Sequence, residues 1–338
     1  MKDIMPETSF SSTGENAFFL GIDGGGTRTR AVLLLGTGNV IGLGEADSSN
    51  FNNMGEDVAA ENLRLATRAA FADAGVAFSP VQAAFLGLAA VRSGADMARM
   101  TAAAESRGIA PVGGIQVKND LHNALAGGLD GEAGLALISG TGSSCLGRDP
   151  KGNYFNCGGW AWFMDDGGSG FGLSHDALMT AVRMVDGREK PTPLLPAVLE
   201  FYQVPHPDFL LERLYNRKWT PAEIASFAPT IMKLAADGDP AAMGVLRRGA
   251  MALAELVSTT AANLEFPEPP RVVLLGGCVR SGAPYQPLVE SGIRNSCPGV
   301  RLCEPLHDTI YGAALNALRL ASSKNLIPCT VRPRFPKK

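Results

Sequence analysis

The sequence has no surplus of either charge and no long apolar run. Lys and Arg total 30 against 33 Asp and Glu, which gives a formal net charge of −3 over 338 residues. Nucleic acids and anionic membranes recruit basic patches, so neither is expected as a partner. No apolar run approaches the roughly 20 residues that a membrane span needs.

Cysteine and histidine are scarce, and their spacing contains no metal-binding motif. The six cysteines include no CxxC pair, and the four histidines form no HExxH or Cys/His motif. A structural zinc site and a thioredoxin-type redox site are therefore not expected. Scattered cysteines, in a chain whose first 16 residues carry no apolar signal segment, predict reduced thiols and a cytoplasmic location.

The chain is too long for one average domain. Its 338 residues are 46% hydrophobic, enough to bury two cores, which predicts two domains. The motif GxxxxGK[ST] does not occur, and the stretch from Gly140 to Cys145 lacks the last glycine of GxGxxG. Neither a P-loop nor a Rossmann site is therefore expected.

Glycine, by contrast, is abundant, and its first cluster joins two apolar strands. Residues 18–22 predict a buried strand and residues 30–35 predict the next. The turn between them is nearly free of side chains, so its successive N–H groups can form a nest for a phosphate. Asp23, at the strand end, is suited to a hydrated Mg²⁺. The predicted phosphate-binding residues are Gly24, Gly25, Gly26, Thr27 and Thr29.

A second glycine–hydroxyl turn follows a strand predicted over residues 134–139. Its predicted phosphate-binding residues are Gly140, Thr141, Gly142 and Ser143. Both turns open the same order of elements, βββαβαβα, which predicts an internal duplication and a phosphate clamp with two sides. A third turn, Gly276-Gly277, ends a late strand. It offers a flat surface for adenine or ribose, or it is only a strand-to-helix turn.

The duplication predicts an α/β fold of two lobes with a nucleotide cleft between them. The N-terminal lobe is expected over residues 17–118 and the C-terminal lobe over residues 119–322. Prolines break up a helical insertion in the second lobe, between about residues 160 and 240. Both termini, residues 1–16 and 323–338, are expected to be loose.

Two further segments carry side chains suited to chemistry on a sugar. Asp120 lies between a predicted strand and a helix, where it can accept the proton of an attacking hydroxyl. It can also cap the helix, and Asn119 can orient it. Residues 158–170 combine two tryptophans with two aspartates, which suits stacking on a sugar and bonding to its hydroxyls. A tryptophan buried beside a turn is the alternative.

The three glycine turns and their flanking strands resemble the motifs of the BadF/BadG/BcrA/BcrD ATPase family, in the actin, Hsp70 and sugar-kinase superfamily. Residues 158–160, with the acidic turn after them, resemble the N-acetylglucosamine kinases of that family. The resemblance covers residues 17 to 320. It implies two ribonuclease-H-like lobes, MgATP in the cleft, and phosphorylation of an amino sugar on its 6-hydroxyl. Similar kinases are commonly dimers, so a homodimer is expected.

The same resemblance assigns roles to individual residues. Asp120 matches the catalytic base, and Thr27 and Thr141 match nucleotide-binding positions. The positions expected to bind the substrate are Asn50, Asn119, Gly159, Trp160, Ala161 and Asp166. N-acetylglucosamine is therefore the expected acceptor and ATP the donor, with Asp23 as a magnesium anchor acting through water.

Residues 158–170, called the sugar loop below, depart from the kinase pattern at three positions. Ala161 and Asp165 each stand in place of a glycine, and Gly167 stands in place of a glutamate. The additional carboxylate of Asp165 would favour the free amine of glucosamine over an acetamide. A glucosamine kinase is therefore an alternative.

Two other readings of the cleft also stay open. One branch of the family activates dehydratases and reductases through an iron–sulfur cluster, for which Cys145 and Cys157 are the only candidate ligands near the turns. Both fall on predicted strands, where cysteines are more often core residues. A non-catalytic sugar or nucleotide sensor would keep the cleft but would not need Asp120.

Overall fold

The computed structural model describes residues 14–336, and the chain divides into two compact units. Unit 1 runs to Gly131 and resumes at Leu306, whereas unit 2 spans Glu132–Pro305. Each unit is built around one five-stranded sheet. Within residues 14–336, no helix is long and apolar enough to cross a bilayer.

Unit 1 contains the strands β1 (Phe18–Gly24), β2 (Arg28–Leu35), β3 (Val40–Asp47), β4 (Ala83–Leu88) and β5 (Ile115–Lys118). Their order across the sheet is β3-β2-β1-β4-β5. The first three strands are antiparallel neighbours, while β1, β4 and β5 run parallel. The carboxyl ends of the parallel strands meet at one edge, so Asp23 and the Asn119-Asp120 pair share that edge.

Helices cover both faces of this sheet. They are α1 (Phe51–Met54), α2 (Glu56–Asp73), α3 (Gly94–Ser106), α4 (Leu121–Gly128) and, after the chain returns from unit 2, α12 (Thr309–Ser323). On one face, Leu63 of α2 and Met100 of α3 share a core with Leu20. On the other face, α12 packs against Phe19 and Phe85. The apolar side chains of β1 are therefore buried on both faces, which holds the strand end that carries Asp23.

Unit 2 repeats this topology. Its strands are β6 (Gly134–Ser139), β7 (Ser143–Arg148), β8 (Tyr154–Gly158), β9 (Arg271–Leu275) and β10 (Arg301–Cys303). Their order is β10-β9-β6-β7-β8, with β6, β7 and β8 antiparallel and β6, β9 and β10 parallel. Read from the other edge, this is the strand order of unit 1. The predicted α/β class and the internal duplication are confirmed.

Unit 2 holds seven of the α-helices described in residues 14–336. They are α5 (Gly170–Val185), α6 (Leu194–Tyr202), α7 (Leu210–Asn216), α8 (Pro221–Ala225), α9 (Ala228–Ala236), α10 (Pro240–Ala262) and α11 (Tyr285–Ser296). The short helices α6 to α9 interrupt the repeated order of elements. Their apolar residues, including Tyr202, Phe227 and Ile231, join the core formed by β6 and α10. The insertion is therefore a packed part of unit 2.

The structure divides the chain at other points than the predicted boundary after residue 118. Helix α4 packs with α12 in unit 1, where Asn316 donates from Nδ2 to the carbonyl of His122 at 3.1 Å. The returning chain is fastened to α4 as well, since Leu306 N–H donates to the Gly128 carbonyl at 3.0 Å. Both helices were predicted in the second lobe, because the sequence repeat does not show that the last helix returns to the first sheet.

The prediction of a loose C-terminal segment is wrong for the part of that segment that the structure describes. Ile327 is buried, and Val331 and Phe335 pack against the core under α12. The backbone of Arg334 bonds to Gly38 and to Val40 at 2.8 and 2.9 Å, which adds the segment to the edge of the sheet. At the N-terminus, residues 14–16 form a short 3-10 turn. The rest of the predicted loose termini, residues 1–13 and 337–338, lies outside the described residues.

Candidate active site

The first glycine turn is closed by a bond from Gly25 N–H to the Arg28 carbonyl at 2.9 Å. Its glycines are needed for different reasons. A Cβ on Gly24 would lie 2.3 Å from Ser49 Oγ and 2.6 Å from Leu88 Cδ2, whereas a Cβ on Gly26 would meet nothing within 4 Å. Gly24 therefore allows close packing behind the turn, and Gly26 leaves open space in front of it.

The two threonines of this turn differ in what their hydroxyls can reach. Thr27 is exposed at the tip. Thr29 is fully buried, and its Oγ1 donates to the Asp47 carbonyl at 2.8 Å. The Thr29 side chain is therefore committed to the β2–β3 pair and does not present a donor to a phosphate. The sequence-based assignment of Thr29 to nucleotide binding is corrected on this point, because it ignored the alternation of side chains along β2.

Asp23 is held at the end of β1 by two other side chains. Its Oδ2 accepts from Arg30 Nη2 and from Thr309 Oγ1, both at 2.7 Å. Within residues 14–336, the other oxygen, Oδ1, has a single contact at 3.5 Å, from Nδ2 of the buried Asn123. One carboxylate oxygen is thus fully occupied, and the second retains capacity to accept a bond from a water molecule.

Asp120 precedes α4 and is half-buried. Its side chain makes no capping bond to the helix, so it is not an ordinary N-cap residue. Burial, and secondarily the charge of Asp23, raise the pKa of Asp120 to about 7, although the nearby backbone N–H of Leu121 opposes the shift. A carboxyl group with a pKa near 7 can take up and release a proton at neutral pH, as a general base must.

The predicted substrate residues of unit 1 are engaged in local structure. Asn119 donates from Nδ2 to Val91 O at 2.9 Å and accepts from Leu121 N–H at 3.0 Å. It thereby fixes the first turn of α4 behind Asp120. Asn50 caps α1 by accepting from Asn52 N–H at 3.1 Å. The segment before Asn50 is linked to the first glycine turn by a bond from Ser48 Oγ to Gly25 O at 3.0 Å. The sequence analysis did not predict this link.

In unit 2, the second glycine turn is docked against the N-terminus of α5. Gly170 N–H donates to Gly140 O at 2.8 Å, and Phe171 N–H donates to Thr141 O at 3.1 Å. Ser143 is part of this attachment, since its Oγ donates to Gly167 O at 2.8 Å. The Thr141 side chain is exposed at the tip, as Thr27 is in unit 1. The two turns are thus similar in position on their sheets, at the β1–β2 and β6–β7 connections.

A cavity of about 500 Å³ lies beside this second turn. The predicted residues Gly140, Thr141 and Gly277 line it together. Its opposite wall comes from the insertion, through Ala225 and Met232 among others. The sequence analysis did not predict this wall. The feature of the sequence that could have indicated it is the run of small residues and proline in α8 and α9. A volume in this range is typical of small-molecule sites.

The predicted sugar loop turns sharply at several residues. Gly158, Gly159, Ala161 and Asp166 all have positive φ angles, of 78°, 71°, 72° and 78°. Trp160 has 58% of its surface exposed, so the alternative of a buried tryptophan is wrong. Asp166 is buried instead, and its Oδ1 accepts from Ser143 N–H at 2.9 Å. The Asp166 carboxylate therefore fastens the predicted sugar loop to the second glycine turn, which differs from the predicted contact with substrate.

Replacing Ala161 with glycine is expected to stabilise the protein by about 1 kcal/mol, because an L-residue at this φ is strained. Urea unfolding of Ala161→Gly against the wild type measures the effect. Ala102→Gly is the matched control, since Ala102 is exposed in the middle of α3 and should lose about 1 kcal/mol. Equal destabilisation by both substitutions would contradict strain at residue 161.

Cys145 and Cys157 lie opposite each other on β7 and β8. Cys145 is buried in the core of unit 2, and burial raises the pKa of its thiol to about 12. Burial also raises the pKa of Cys157. A protonated core thiol is a poor metal ligand, since metals bind the thiolate. Packing in the core of unit 2 therefore explains Cys145.

Residues 20–317 match the model of the BadF/BadG/BcrA/BcrD ATPase family. The chain belongs to this family. The match includes both glycine turns, Asp120 and the sugar loop, so the resemblance noted in the sequence is confirmed over most of the chain.

Three curated relatives each share 27% identity with this chain. An N-acetylmuramic acid/N-acetylglucosamine kinase of Clostridium acetobutylicum aligns over 89% of this chain and 98% of its own length. An N-acetyl-D-glucosamine kinase of Dictyostelium discoideum aligns over 89% and 97%. A glucosamine kinase of Vibrio cholerae aligns over 74% and 78%. The chain is thus similar to the first two kinases along nearly their whole length, and to the third along 78% of its length.

A solved structure from Chromobacterium violaceum, described as a candidate N-acetylglucosamine kinase, has the same fold. It superposes with a TM-score of 0.69 at 26% identity and covers 88% of this chain and 98% of its own. The hexokinase of the ROK family from Thermus thermophilus superposes with a TM-score of 0.56 at 18% identity. The two-unit fold is therefore that of sugar kinases.

Proposed function

We propose that this protein is an ATP-dependent amino sugar kinase that converts N-acetylglucosamine to its 6-phosphate. The observation that carries the proposal is Asp120, a half-buried carboxylate with a pKa near 7 and no capping role. It lies at the same sheet edge as Asp23, beside the first glycine turn. The similarity to curated amino sugar kinases supports the choice of acceptor.

In the proposed reaction, Asp120 accepts the proton of the sugar 6-hydroxyl while the oxygen of that hydroxyl attacks the γ-phosphorus. A new P–O bond forms while the bond to the β-phosphate oxygen breaks, and ADP leaves. The glycine turns supply backbone donors for the phosphates, from Gly26 and Thr27 in the first turn and from Thr141 and Gly142 in the second. Their contribution is orientation and charge neutralisation, which provide most of the rate gain in phosphoryl transfer.

The residues around Asp23 fit magnesium that arrives with the nucleotide. Asp23 Oδ1 has room for a bond from a metal-bound water, and Mg²⁺ commonly uses one carboxylate with waters and phosphate oxygens. Residues 14–336 hold no cluster of three His, Cys, Asp or Glu that could bind a metal by themselves. When bound, the metal would neutralise charge on the phosphate oxygens.

The nucleotide base and ribose are assigned to the cavity of unit 2, beside Gly277 and Thr141. The sugar is assigned to the loop after β8, where the exposed ring of Trp160 can stack on its C–H face. The carboxylate of Asp165 on this loop would attract a free amine, which keeps glucosamine as the alternative acceptor. A homodimer in the cytoplasm is part of the same proposal.

A panel of acceptors tests this function. ADP release from MgATP is expected with N-acetylglucosamine and not without sugar, and glucosamine, N-acetylmuramic acid, N-acetylmannosamine and glucose complete the panel. A rate with glucosamine alone would favour the role of Asp165 in selecting an amine. A rate that does not depend on any sugar would contradict the kinase and favour the ATPase activators of the family.

A further inference from the structure

Arg30 and Thr309 form a closed set of contacts with Asp23. The guanidinium Nη2 of Arg30 donates to Asp23 Oδ2 at 2.7 Å and to Thr309 Oγ1 at 2.6 Å. The Thr309 hydroxyl accepts that bond and donates a second hydrogen bond to Asp23 Oδ2 at 2.7 Å. Two side chains thus fix one oxygen of the Asp23 carboxylate, which cannot rotate without breaking both bonds.

Chain topology brings these three residues together. Asp23 and Arg30 are directly opposite in the antiparallel register of β1 and β2, so their side chains share one face of the sheet. Thr309 is the first residue of α12, which Asp308 caps by accepting from Tyr311 N–H at 3.0 Å. The chain therefore delivers Thr309 to Asp23 immediately after it re-enters unit 1 at Leu306.

Stability alone is a weak reason for this arrangement. The Arg30 and Asp23 side chains are 25% and 15% exposed, and removing such charges from water offsets most of what their attraction contributes. The contacts are also one-sided, since in the described part of the chain Oδ2 takes two bonds and Oδ1 has only the long contact from Asn123. A pair that served stability would gain more from a two-pronged contact with both oxygens.

We propose that Arg30 and Thr309 are positioning residues that hold Asp23 with Oδ1 directed to the water shell of nucleotide-bound Mg²⁺. This inference rests on the proposed MgATP site but on no particular acceptor sugar. Partners of metal-anchoring carboxylates commonly affect metal affinity by ~10–100-fold. Loss of either partner should therefore weaken the contribution of the metal and leave contacts to the metal-free nucleotide intact.

The test is isothermal titration of the full chain with the ATP analogue AMPPNP, with no sugar present, once in EDTA and once in excess Mg²⁺. The ratio of the two dissociation constants measures the metal contribution. Arg30→Met and Thr309→Val are expected to reduce this ratio by about tenfold and to leave the Kd in EDTA unchanged. Thr309→Ser keeps the hydroxyl and is expected to restore the ratio.

Arg248→Met is the matched control. Arg248 bonds to Asp176 and to the hydroxyl of Thr180 in unit 2, the same trio of residue types, and its loss should leave the ratio unchanged. A wild-type ratio kept by folded Arg30→Met and Thr309→Val would overturn the inference, as would equal weakening in EDTA. A wild-type ratio of one would overturn it too. A missing sugar-dependent rate with an intact ratio would count only against the kinase.

Discussion

Asp120→Asn is expected to lower turnover with the accepted amino sugar by about a thousandfold, the usual loss when a general base is removed. The amide has nearly the same shape as the carboxylate but cannot accept a proton from the hydroxyl. Affinity for AMPPNP should stay within about twofold of the wild type, since Asp120 binds neither base nor phosphate in the proposed mechanism. Steady-state ADP release and titration with AMPPNP measure the two quantities separately.

The pH profile provides an independent check on the same residue. Burial and the Asp23 charge raise the pKa of Asp120 to about 7, so kcat/KM should rise with pH and reach half its maximum near that value. The residual rate of Asp120→Asn should lack this acid limb. If Asp120→Asn keeps this acid limb, or keeps near-normal turnover, Asp120 is not the general base.

The ionised form of Asp120 should also destabilise the folded protein. The carboxyl group has a pKa near 4 in the unfolded chain and about 7 in the folded one, so the folded state binds more protons between those values. The free energy of unfolding therefore falls as pH rises through this window. Asp120→Asn removes the effect, and its Tm relative to the wild type should be higher at pH 8 than at pH 5. Thermal melts at the two pH values test this and show that the inactive variant is folded.

The repeated fold could be predicted because its signals are local. An apolar strand, a turn of glycines and hydroxyl residues, and a second strand occur at Gly24 to Thr27 and again at Gly140 to Ser143. Each turn connects antiparallel neighbours at the centre of its sheet, as the pattern implied. The position of Asp120 could also be predicted, because a carboxylate shortly after a parallel strand lies at the edge of the sheet where ligands bind.

The remaining features depend on contacts between distant residues. Thr29 and Asp166 both have the right chemistry for a ligand, but strand alternation and a left-handed φ turn their side chains into unit 1 and unit 2, respectively. Nothing in the sequence of α12 shows that it packs on β1, because residues in contact there, such as Asp23 and Thr309, are 286 positions apart in the chain. Thr309 was missed as a partner of Asp23 for the same reason.

Gly276→Ala is expected to destabilise unit 2 by about 3 kcal/mol. Gly276 has a φ of 95°, and a Cβ there would lie 2.3 Å from Ser139 O and 2.6 Å from its carbonyl carbon. That carbonyl also accepts from Cys278 N–H at 3.0 Å and from Val279 N–H at 3.2 Å, so it cannot move aside without losing both bonds. The substitution should therefore disturb the end of β9 together with the adjoining turn at Gly140. Urea unfolding measures the loss, and reduced soluble expression would accompany it.

Gly277→Val separates the fold from the ligand at the neighbouring position. A Cβ on Gly277 would meet nothing within 4 Å, and Gly277 faces the 500 Å³ cavity together with Thr141. Unfolding of this variant should stay close to the wild type, while its affinity for AMPPNP falls about tenfold, because the new side chain occupies space assigned to the nucleoside. Wild-type affinity in a folded Gly277→Val protein would move the nucleoside out of this cavity. Wild-type stability in Gly276→Ala would mean that the β9 turn can shift, and that the close approach of Gly276 to Ser139 does not hold the two glycine turns of unit 2 together.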